Sequence, residues 1–196
     1  MTLRLLIILM ITSLAGTTLA ATFGQTSAGG SYAVLDDVTG NNKIATKFTM
    51  GATGGTVDSI TAFMRTNWDG DDDVTLFIYS DDSNSPDVVV DSAVGTTSAT
   101  GGSWISAEAA IGATLTGSTD YWLGVRNKSA TLTGIAYTDA TGYSRILTAD
   151  AGTLDDPWSG GSVNDNSTRV SIYVTYTVTG VADISYVRRI KEGEGK

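Results

Sequence analysis

Apolar residues recur along this chain at a spacing of two. In Thr168–Val178, the residues Val170, Ile172, Val174, Tyr176 and Val178 share one face, and Arg169, Ser171, Tyr173, Thr175 and Thr177 share the other. That alternation is the pattern of a strand with one buried and one wetter side. Val74–Ser80 differs, with Val74, Leu76 and Ile78 on one face and Phe77 and Tyr79 on the other, which predicts a central strand covered on both sides. Further strands are predicted over Thr22–Thr26, Lys43–Met50, Val57–Arg65, Val88–Val94, Ser103–Ile111, Asp120–Asn127, Gly134–Asp139 and Tyr143–Ala149. No window after the first twenty residues keeps an apolar stripe at helical spacing. The apolar face of an antiparallel sheet needs a cover, so the pattern predicts an all-β fold: an antiparallel two-sheet β-sandwich, jelly-roll-like, of about 8–10 strands. Trp104 and Trp122 fall inside strand patterns and are expected in the core. The glycine-rich stretches Gly95–Gly102 and Ser159–Ser167 are expected to be loops.

The two ends break the pattern. Arg4, the apolar run Leu5–Leu14 and the small residues Thr18–Ala20 have the order of an export signal, and the apolar run is too short to span a bilayer. The expected organisation is a signal peptide over 1–20, a β-sandwich domain over 21–180 and a tail or extra strand over 181–196. Loss of the first 20 of 196 residues leaves 176, a size that suits one core. The protein is therefore expected to be secreted, with no membrane insertion after signal cleavage.

Composition narrows the chemistry. Twelve Lys and Arg stand against 21 Asp and Glu, a net charge of −9, which argues against nucleic acid as a partner. The absence of Cys leaves an exported chain without a disulfide staple. The absence of His removes the usual general base near neutral pH and the commonest ligand of zinc, copper and iron. What remains for a metal is oxygen, the donor calcium prefers. No carboxylate pair is marked out for acid–base work, and the chain is read as a non-enzyme.

The densest acidic stretch is Asn67–Asp73, with Asp69, Asp71, Asp72 and Asp73 inside five residues. EF-hand spacing fails, because Val74 and Ser80 occupy the positions that require Gly and Glu. The stretch reads as a hairpin loop between Val57–Arg65 and Val74–Ser80. Its carboxylates either splay into water or, through Asp69, Asp71 and Asp73, hold a calcium ion that relieves their mutual repulsion. Tyr79–Asp87 has the Ser/Asn/Pro/Asp composition of an ordinary turn.

Trp68 and Trp158 lie instead in polar stretches beside carboxylates, Trp158 next to Asp155 and Asp156. An indole face beside hydrogen-bond acceptors suits a sugar ring, so Trp68, Trp158, Asp155 and Asp156 are the candidate ligand-binding residues. The competing reading has each indole folded back to plug the end of the sandwich.

The order F-x-Q near the start, "KFTM", "VDSITAFM", "VTLFIYSDDSNSPD", the strand bearing Trp104 and "LTGSTDYWLGV" resembles the secreted bacterial and phage-associated β-sandwich modules called choice-of-anchor domains, over about Thr22 to Val125. The resemblance implies an extracellular piece with no agreed enzymatic activity. Two functions fit these residues. One is a non-catalytic binding or adhesion module for a glycan or cell-surface polymer, stabilised by calcium if the acidic loop binds it. The other is a structural subunit of a fibre, virion or surface layer, self-associating by addition of the strand Ala182–Val187 to a neighbour's sheet edge.

Overall fold

The computed structural model of the protein describes residues 18–35, 43–66, 72–97, 101–127, 133–141, 145–148, 154–159, 163–164 and 168–179. The strands are β1 (Ala20–Gly24), β2 (Ser31–Leu35), β3 (Lys43–Thr49), β4 (Gly55–Thr66), β5 (Asp72–Asp82), β6 (Ser85–Thr97) and β7 (Gly101–Glu108). They continue as β8 (Thr114–Leu115), β9 (Asp120–Asn127), β10 (Thr133–Asp139), β11 (Arg145–Thr148), β12 (Val163–Asn164), β13 (Thr168–Val170) and β14 (Ile172–Val178). The fold is all-β and forms two antiparallel sheets. The six-stranded sheet runs β12-β11-β3-β9-β5-β6. The eight-stranded sheet follows the path β1-β14-β4-β10-β13, with β7 and β8 also on β4 and β2 on β10.

Between the sheets lies one core. Ile44, Phe48, Leu76, Ile78, Leu123 and Val125 come to it from the six-stranded sheet, and Val57, Ile60, Met64, Ile135, Ile172, Val174 and Tyr176 from the other. Within a strand these residues are spaced mostly by two, so the pleat alone turns them to one side. The alternation in β14 and the two-sided burial of β5, between β9 and β6, agree with the sequence expectation.

The differences lie in local pairing and in short strands. β4 and β5 do not form the expected hairpin. They sit in different sheets, so the chain passes from one sheet to the other between Thr66 and Asp72, and Asp73 belongs to β5. β4 finds its partners in β14, β10, β7 and β8, and β5 in β6 and β9. The turn that does make a hairpin is the one after β5: Ser83 and Asn84 have φ of 54° and 66°, the paired left-handed conformation that a two-residue connection needs. β2, β8 and β12 have no counterpart among the predicted strands. β8 and β12 are two residues long, too short for an alternation to register, and β2, Ser31–Leu35, has apolar residues on both faces and so no alternation to show. β1 starts at Ala20, the residue ahead of the expected cleavage point, and Leu19 O accepts from Val178 N at 2.9 Å. The leader Leu5–Leu14 and the tail 181–196, with Ala182–Val187, lie outside the described residues.

The free edge of β6 is occupied from Asp87 to Ser92. Asp87 O accepts from Trp158 N at 2.7 Å, Val89 N donates to Asp156 Oδ1 at 3.2 Å, and Ser92 O accepts from Ala110 N at 2.8 Å. Backbone groups engaged in this way are closed to pairing with another chain.

Candidate functional site

Each sheet has an outer face, and the two are covered differently. On the six-stranded sheet the outward positions of β3, β5 and β9 carry Ala45, Phe77, Tyr79 and Trp122, all buried. What buries them is the segment Leu154–Ser159, which crosses the face and packs Leu154 and Trp158 onto these rings. Trp158 meets Phe77 and Tyr79 edge to face, with centroids 5.7 and 5.0 Å apart. Gly124 is the flat spot on β9 over which the Phe77 ring lies.

Polar contacts fix that segment. Lys43 Nζ is 3.1 Å from Asp155 Oδ2 and 3.9 Å from the centre of the Trp158 ring, and its side chain is fully buried where that of Asp155 is 23% exposed. Ser159 Oγ donates to the same carboxylate oxygen at 2.5 Å, and Tyr79 OH donates to Asp155 O at 2.5 Å. Burial works to raise the Asp155 pKa, but the hydrogen bond from Ser159 and the hydrogen bond and charge of Lys43 together outweigh it, and the pKa is lowered.

The structure thus brings Trp158, Asp155 and Asp156 together on one loop. It uses Trp158 as a half-buried cover, Asp155 as the partner of a buried ammonium and Asp156 as an edge cap for β6. Beside them Trp122 Nε1 donates to Asp81 Oδ1 at 2.7 Å, and Lys47 Nζ bridges Asp81 and Asp120 at 3.8 and 3.4 Å.

This arrangement makes the loop acid-sensitive. The folded pKa of Asp155 lies below the unfolded value near 3.8. The pair therefore contributes fully above that pH, and its contribution is lost as pH falls through the folded pKa. Asp155→Asn is expected to cost about 2 kcal/mol at pH 7, between the worth of an exposed pair and the cost of breaking a fully buried one, and to flatten the fall in stability below pH 3.8, as read by urea melts from neutral to strongly acid pH. An unchanged acid limb would show that another carboxylate controls it.

Of the acidic loop, Asp73 is described: it is exposed and accepts from Thr96 Oγ1 at 3.0 Å. Asp69, Asp71 and Trp68 lie outside the described residues. Among the described residues no three acidic side chains converge as metal ligands.

The outer face of the eight-stranded sheet has no such cover among the described residues. Its outward positions place Trp104 of β7 opposite Phe63 of β4, with ring centroids 5.2 Å apart and nearly perpendicular. Trp104 also reaches Tyr173 of β14, at 5.4 Å. On the far side Tyr32 of β2 leans across β10 at Gly134 toward β4. The ends of the Tyr32 and Phe63 rings close over Gly102, whose Cβ position they occupy. Arg65 lies over the Tyr32 ring, 5.2 Å from its centre. A row of four aromatic side chains and one cation therefore crosses the sheet, set in hydroxyls such as the Thr61–Ser106 pair at 2.9 Å.

Trp104 is 38% exposed, which overturns the expectation that it is core. The signal is present in the sequence: Trp104 alternates with Ile105 and shares its face with Ser106 and Glu108, and Tyr173 shares its face with Thr175 and Thr177. Residue type alone favours the core for an indole, whereas its parity in the strand points outward.

No protein-family model matches the chain, and no curated protein matches it. The functional reading therefore rests on the two faces themselves.

Proposed function

We propose that the protein is a non-catalytic extracellular binding module whose ligand is a glycan, held on the outer face of the eight-stranded sheet. The single observation that supports this reading is the aromatic row Tyr32, Phe63, Trp104 and Tyr173, with Trp104 exposed at its centre. A sugar ring has an apolar C–H face and a rim of hydroxyls. An exposed indole takes the first, and neighbouring Ser and Thr hydroxyls take the second. The resemblance to secreted β-sandwich modules and the export-signal pattern at the N-terminus point the same way. Calcium at Asp69, Asp71 and Asp73, the last of them at the start of β5, would act on stability.

Trp104→Ala is expected to weaken retention on polysaccharide affinity gels about tenfold or more while lowering the melting temperature by only a few degrees, since the ring is not part of the core between the sheets. Trp158→Ala is expected to do the reverse, lowering stability and leaving retention in place. Retention that survives Trp104→Ala and disappears with Trp158→Ala would move the site to the loop 154–159.

A further inference from the structure

The aromatic face is electrically lopsided. At one end Arg65 is exposed on β4, opposite Gly102 of β7. At the other end Glu108 pairs in register with Ser59, and Asp58 holds Thr177 Oγ1 at 3.0 and 3.2 Å. Ser59 and Arg65 are six residues apart on one strand, about 20 Å. Among the described residues, Arg169 of β13 is the other cation on this face, and it is half-buried.

Arg65 stands out among the described cations. Carboxylates outnumber cations 21 to 12, and Lys43 and Lys47 are both held by aspartates. Among the described residues no carboxylate pairs with Arg65; its partner is the face of the Tyr32 ring. A guanidinium carries five N–H donors, more than one ring face engages, and the donors left over match a carboxylate in two parallel hydrogen bonds. The Tyr32 hydroxyl, at the Gly102 position beside Arg65, adds one more polar group at the same end.

We infer that the ligand is an acidic glycan, a chain bearing uronic-acid carboxylates, with a sugar ring on Trp104 and a carboxylate on Arg65. The inference rests on the glycan reading above and adds the substrate class and the residue that selects it. The carboxylates at the opposite end, Glu108 and Asp58, repel a like charge, so an acidic chain lies with a carboxylate toward Arg65 and its neutral rims toward Ser59 and Thr175.

The test uses polygalacturonate, alginate and hyaluronate, each compared with its carboxyl-reduced neutral form, against the wild-type chain and the Arg65→Gln, Arg65→Lys and Trp104→Ala variants by isothermal titration. The expected result is that at least one acid form binds about tenfold more tightly than its reduced form, that salt at about 0.5 M narrows the gap, and that Arg65→Gln abolishes it while binding of the reduced form persists. Arg65→Lys should keep part of the gap, as a point charge without the fork, and Trp104→Ala should weaken both forms. Equal binding of acid and reduced forms, or a gap that survives Arg65→Gln, overturns the acidic-glycan inference and leaves the glycan reading standing. Binding of neither form, together with a dimer that Trp104→Ala converts to monomer, overturns both and assigns the face to a second copy of the chain.

Discussion

Replacing Asp91 by Ala is expected to cost about 4 kcal/mol of stability. Asp91 interrupts the apolar run of β6 and is completely buried. Its Oδ1 accepts from Ser92 N at 2.8 Å and from Ile111 N at 3.1 Å, and its Oδ2 accepts from Ala113 N at 2.8 Å. The loop it holds runs between β7 and β8, and the same loop offers Ala113 O to Val57 N at 2.9 Å. One carboxylate on the six-stranded sheet thereby fixes the backbone that leads into a strand of the other sheet.

Alanine leaves three N–H donors without their acceptor, each worth about 1–3 kcal/mol when water cannot replace it. Asp91→Asn keeps the shape but turns an N–H toward a donor, and it should recover less than half of the loss. Urea unfolding of the two variants measures this directly. A loss below about 1 kcal/mol for Asp91→Ala would mean that the loop is held by its other contacts.

Gly124→Ala is expected to be nearly as damaging, by about 3 kcal/mol, though it adds a single methyl group. A Cβ built at Gly124 would lie well under 3.0 Å from the carbonyl oxygen of Ile44 and from two carbons of the Phe77 ring. The carbonyl belongs to the neighbouring strand β3 and cannot move without breaking the ladder between Lys43–Thr49 and Asp120–Arg126. Phe77 cannot retreat either, because Tyr79 and Trp158 flank it edge to face. The control is Gly51→Ala, where nothing lies within 4 Å and the expected change is a few tenths of a kcal/mol. Comparable melting curves for the two variants would show that the strand spacing at Gly124 yields.

Much of this architecture is legible in the residue pattern. The alternation in Thr168–Val178 and the double-sided apolar run Val74–Ser80 report local pleat geometry, which depends on nothing beyond the strand itself. The turn at Ser83–Asn84 is legible from its composition for the same reason. The β4–β5 connection is not: an acidic, glycine-bearing loop between two strands serves a hairpin or a passage between sheets equally well, and the partners that decide between them are β14 and β9, far along the chain. Asp91 stands in plain view in "VVVDSAV", yet its role depends on a loop about twenty residues away.

The aromatic residues carry the same lesson into function. By its period of two, the amino-acid sequence determined which side chains of the predicted strands turn to the same side, with Phe77 and Tyr79 opposite Leu76 and Ile78, and Phe63, Trp104 and Tyr173 opposite Ala62, Ile105 and Ile172. The double-sided run Val74–Ser80 marks Phe77 and Tyr79 for cover, but nothing in the alternation names the cover or tells Trp122 from Trp104. Only the tertiary structure decided that Leu154–Ser159, anchored by Lys43 and by the edge of β6, crosses the first group and buries it, while Trp104 in the second remains exposed. The physical reason is range: the direction of a side chain is set by its own backbone, whereas its cover comes from a segment tens of residues away.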